Sequence, residues 1–161
     1  MSPKVLIASL SSVAFLTSCS SEMTREESFQ RLQSYRDAGE KIGETRCERP
    51  SKVEARKQTN AHYPEVTDIV RTYYCPTATI EIYESRLASN PAIVQKVTAH
   101  KQISLPFGVG VGSTRAQVEV ALGKPTVVNS RGLQYAIETD SIYFLSEKEQ
   151  IVKVIWDSNL E

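Results

Sequence analysis

From residue 67 onward, apolar side chains recur at every second position in short runs, and no other feature constrains the fold as strongly. Ile69-Val70-Arg71-Thr72-Tyr73-Tyr74-Cys75 is β-branched and aromatic, and Pro76 ends it. Ala78 to Tyr83 alternates, with Ile80 and Ile82 on one face. After the turn signal Asn90-Pro91, Ala92 to His100 reads as a third strand, with Ile93 and Val97 on one face. A second set follows: Leu133, Tyr135 and Ile137; then Ile142 and Phe144; then Val152, Val154 and Trp156. Successive strands with short connections predict antiparallel meanders.

Two helices precede these sets. Thr24-Arg25-Glu26-Glu27 is a capping box, and Phe29, Leu32, Tyr35 and Ala38 form a narrow apolar stripe. Gly39 reads as a stop, which gives a helix over about 25–38. Gly108 to Pro125 is more specific. Gly112 allows a tight entry, and Thr114 with Gln117 makes a second capping box. Val118, Ala121 and Leu122 face inward, Gly123 takes the C-cap, and Pro125 forbids continuation. The chain therefore reads as α+β, with helices packed on one face of an antiparallel β-sheet. Two helix-plus-three-strand repeats, joined in one sheet, are one reading; AIVQKV and QIVKVI are their closest likeness. Chance similarity between two meanders is the other. The stretch 40–66 is polar and shows no period.

The N-terminus reads as an address. Lys4 is the only charge in residues 1–18, and Val5 to Leu16 is an apolar core of about 18 Å as a helix, too short for a ~30 Å hydrocarbon layer. Leu16-Thr17-Ser18-Cys19 has the form of the bacterial lipobox and resembles a lipoprotein signal. The resemblance implies cleavage before Cys19, acylation of that cysteine, and a membrane partner reached through the lipid. Ser20, where an inner-membrane signal would carry Asp, implies sorting to the outer membrane, facing the periplasm. An uncleaved anchor and a soluble exported protein are the competing readings. The resulting divisions are a signal peptide at 1–18, a lipidated tether at 19–23, a helix-plus-three-strand region at 24–102, and a second at 103–161.

With Cys19 taken by lipid, Cys47 and Cys75 are an even pair in an oxidising compartment, so a disulfide is the simple expectation. A buried thiol pair and a redox site compete with it, although no C-x-x-C occurs. Arg46, Arg49, Lys52, Arg56 and Lys57 form a basic stretch diluted by Glu48 and Glu54, read either as contact with lipid headgroups or an acidic partner, or as a solvated loop or short helix.

The stretch 109–125 resembles the BamE (SmpA/OmlA) family of outer-membrane lipoproteins. Its Val-Gly-x-Thr-x-x-x-Val-x-x-x-Leu-Gly-x-Pro element matches Val111, Gly112, Thr114, Val118, Leu122, Gly123 and Pro125. The likeness covers 106–158 and implies a helix-on-sheet unit, similar to that of β-lactamase inhibitor proteins, in a subunit of the β-barrel assembly machinery. The region before 103 lies outside it.

Sites for chemistry are scarce. Gly108 to Thr114 lacks the lysine and spacing of a phosphate loop. His62 and His100 lack metal-ligand spacing, and no G-x-S-x-G occurs. Lys plus Arg equals Asp plus Glu at 19 each, so nothing draws the chain toward nucleic acid. No catalytic residue, cofactor, metal ligand or nucleic-acid partner is expected. Strand tyrosines are the better signal. Adjacent residues point to opposite faces, so some of Tyr73, Tyr83 and Tyr143 must line an open face, either as interface anchors or as ordinary amphipathic residues. The expected function is a non-enzymatic periplasmic binding or scaffolding module for an envelope or outer-membrane protein. The alternative is an inhibitor or immunity lipoprotein that blocks a secreted hydrolase or toxin.

Overall fold

A computed structural model describes residues 23–87 and 92–158, so the leader and Cys19 lie outside the described residues. The described chain runs α1 (Arg25–Thr45), β1 (Lys52–Thr59), β2 (Thr67–Tyr74), β3 (Ala78–Glu84), β4 (Ala92–Ala99), a 3-10 turn (Pro106–Gly108), α2 (Arg115–Leu122), β5 (Val127–Asn129), β6 (Gly132–Ile137), β7 (Asp140–Glu147) and β8 (Gln150–Ser158). All eight strands form one antiparallel sheet in the order β1-β2-β3-β4-β8-β7-β6-β5.

This corrects the expected fold class, helices on one face of an antiparallel sheet with two helix-plus-three-strand repeats as one reading. Strands dominate, the two helices differ widely in length, and each side of the sheet's centre contributes four strands. The two unforeseen strands, β1 and β5, are the edges. Residues 52–59, where the sequence suggests a solvated loop or short helix, pair along their whole length with β2.

The central strands follow the period of two. Ile80, Ile82, Val97, Leu133, Tyr135, Ile137, Ile142, Phe144, Val154 and Trp156 are buried on one face. There α1 crosses β3, β4, β6 and β8, and Val118 and Leu122 of α2 join the same core. Both capping boxes form. The helix does not stop at Gly39, however. It runs to Thr45 with Leu32, Tyr35, Gly39 and Gly43 buried. A Cβ on Gly39 would overlap the Trp156 indole, and one on Gly43 would overlap a Val94 methyl, so these glycines set the approach of helix to sheet. The Trp156 indole stacks on Tyr35 at 5.5 Å, and its Nε1–H donates to the Tyr35 carbonyl at 2.9 Å. The Tyr35 hydroxyl donates to the Val109 carbonyl at 2.9 Å, and burial pushes its pKa far above the ordinary phenol value.

Cys47 and Cys75 form a disulfide that ties the end of α1 to the β2–β3 turn. The C-terminus of α2 is held from three directions. Arg31 donates to the Ala121 carbonyl at 2.9 Å, Ser28 to Leu122 at 2.6 Å, and Tyr135 to Gly123 at 2.9 Å. These donors take the carbonyls that a helix end leaves unpaired. Arg115 fixes the other end, with Nη1 and Nη2 donating to the Asn129 and Ser130 carbonyls, each at 3.0 Å.

Candidate protein-docking face

The helices cover one face of the sheet, and the strand registers place other residues on the opposite face. Across its middle run Thr98, Ile155, Tyr143 and Gln134, directly paired strand to strand. All four are half-buried and uncharged. Leu145 extends the strip beside Tyr143 on β7. On the side of β1 to β4 the same face is laced with ions. Lys96 pairs with Asp157 at 2.8 Å, and Arg56 pairs with Glu81 at 3.6 Å across β2. Lys52 pairs with Glu54, which also accepts from the Tyr74 hydroxyl at 2.6 Å. The strip is thus edged by charge on both sides, by the Lys96–Asp157 pair beyond Thr98 and Ile155 and by exposed Lys153 opposite Leu145. An uncharged middle with a charged rim suits a protein surface that must be desolvated at its centre and stay wet at its edge.

The structure does not bring the three strand tyrosines together. Tyr143 lies in the uncharged strip. Tyr83 shares that face but is occupied, since its hydroxyl donates to Asp68. Tyr73 lies on the helix-bearing side, where it is paired with Ile80, and Arg46 stands over its ring at 5.1 Å. The proposed face of Tyr73, Tyr83 and Tyr143 is thus reduced to Tyr143 and its neighbours.

Asp68 is buried and accepts three hydrogen bonds: from the Tyr83 hydroxyl, from Asn60 Nδ2 at 2.7 Å and from the Arg86 amide at 2.8 Å. The Tyr83 hydroxyl, and then the Arg86 amide, hold its carboxyl below the usual carboxylate range. Asn60 Oδ1 in turn accepts the amides of His62 and Tyr63. These bonds pin the β1–β2 and β3–β4 loops to each other and occupy the carboxylate. Neither loop showed a sequence signal for this, because the contributing residues lie far apart in the chain.

Within the basic stretch, which stays exposed, three residues are paired: Arg46 with Tyr73, Lys52 with Glu54, and Arg56 with Glu81. His62 is exposed in the β1–β2 loop and His100 follows β4. Among the described residues, no group of three His, Cys, Asp or Glu side chains is placed to hold a metal ion, and no helix is long and apolar enough to cross a membrane.

In comparisons with known proteins, no family model, no curated protein and no solved structure matches this chain.

Proposed function

We propose that this chain is a non-enzymatic outer-membrane lipoprotein, anchored through Cys19 and facing the periplasm, whose sheet binds a protein partner in envelope assembly. The observation that carries the reading is Leu16-Thr17-Ser18-Cys19 at the end of a short apolar leader. The Cys47–Cys75 disulfide supports an oxidising compartment. The uncharged strip around Tyr143 supports a docking role, since aromatic side chains in the centre of such a strip are the usual anchors of an interface. The motif at 111–125 supports kinship with the BamE family; its residues also serve a local purpose, capping α2 at both ends.

The test is a photocrosslinking residue in place of Tyr143 in living cells, with Lys57 on the helix-bearing side as reference. The expected result is an adduct with one envelope-assembly protein from position 143 and none from position 57. An adduct with a secreted hydrolase or toxin would assign the inhibitor or immunity role instead. Absence of any adduct from position 143 would remove the docking face.

A further inference from the structure

We infer that the folded body rests directly on the bilayer through the outer side of α2 and the neighbouring 106–108 turn, with Val120 and Phe107 at the lipid interface. This deepens the reading of Cys19 as lipidated and rests on it.

Chain length supplies the first argument. Four residue steps separate Cys19 from Met23, the first described residue, and span at most about 14 Å when fully extended. A lipid-bearing cysteine sits at the hydrocarbon boundary, and the headgroup layer above it is roughly 6 Å thick. Met23 therefore cannot rise more than about 8 Å above the headgroups. Met23 is itself fixed to the body, its Sδ lying 3.4 Å from where a Cβ on Gly123 would project. Gly123 caps α2, so the tether brings this helix, and not the far edge strand β1, to the membrane.

The second argument is what α2 presents there. Val120 is 78% exposed and Phe107 46% exposed, and both line a groove of about 640 Å³ together with Ala116, Ala121, Gln117 and Arg31. Phe107 has φ of 59°, in the left-handed region that aromatic residues seldom occupy. Its ring lies over the Arg31 guanidinium at 5.4 Å instead of entering the core. Val128, on the short edge strand that follows α2, is 60% exposed on the same side of the sheet as the helices. Apolar side chains held outward beside a short lipid tether fit an interface that is itself partly apolar.

Nearby charges balance. On α2, its flanks and the start of α1, Arg25, Arg31, Arg115 and Lys124 stand against Glu26, Glu27, Glu119 and Glu149, the last paired with Arg115 at 3.8 Å. Contact is therefore apolar and independent of anionic headgroups.

Lipidated protein extracted from membranes, carrying Val120→Cys or Lys57→Cys with an environment-sensitive fluorophore, tests this in phosphatidylcholine vesicles that contain nitroxide-labelled lipid. Mass spectrometry of the same sample reports the state of Cys19. With Cys19 acylated, emission at position 120 should fall about twofold while that at position 57 stays unchanged. An acylated protein with position 120 unquenched, with both positions quenched alike, or with quenching only in anionic vesicles overturns the proposed contact and leaves the anchor intact. An unacylated Cys19 overturns the anchor and the contact together.

Discussion

Gly39 and Gly43 are the closest approach of α1 to the sheet, and their missing side chains hold the space for Trp156 and Val94. Trp156 has little freedom to yield, being stacked on Tyr35 and hydrogen-bonded to its carbonyl. Gly39→Ala gains about 1 kcal/mol of helix propensity but overpacks the core by roughly 1–3 kcal/mol. The net expectation is a loss of stability, read as a lower urea midpoint at unchanged slope; a gain would contradict the packing described. Asp68 makes a prediction in pH. Its folded pKa lies below the unfolded value of about 3.9, so its contribution is present above about pH 4 and disappears as pH falls through the lowered value. Asp68→Asn should lower stability at pH 7 and flatten the loss below pH 4. Parallel profiles for the two proteins would show that the carboxylate does not anchor the loops. Gly39 also marks a limit of sequence reading. A glycine after an apolar stripe is the usual sign of a helix end, and only the tertiary partner shows that it is a seat for an indole.

At the scale of elements, legibility follows burial. Leu133, Tyr135, Ile137, Ile142 and Phe144 alternate because one side of each strand is dry, and both capping boxes are short-range patterns. The edge strands carry no such mark. Nearly all of β1 is exposed, with Val53 at 47%, and its charged residues suit an edge that must not pair further. β5 has three residues, all exposed. The tyrosines are half legible: alternation divides them between the faces, but only the register, Tyr73 against Ile80, puts Tyr73 with the helices. The disulfide bridges residues 28 apart and encloses both β1 and β2. Replacing both cysteines by serine should cost roughly 3.5 kcal/mol by loop closure. The β1 amides should then exchange first, since only β2 pairs with that strand. Exchange spread evenly over the sheet would contradict this local order.

The described residues form one sheet with a covered face and an open one, and they begin, at Met23, beside α2. The strands with no buried side, β1 and β5, leave no pattern in the sequence, whereas the core strands follow the alternation of their apolar residues. The proposed docking and membrane surfaces are distinct. Tyr143 lies on the open sheet face, whereas Val120 lies outward on α2, so a lipid-resting body would keep the strip free for a partner. The membrane contact and the periplasmic setting of the docking strip both depend on Cys19 being the anchored first residue of the mature protein. Intact-mass spectrometry of protein purified from its native membrane tests that directly. The account predicts a chain beginning at Cys19 with a diacylglyceryl thioether and an acylated amine. A chain that retains Met1, or carries an unmodified thiol at position 19, would contradict it.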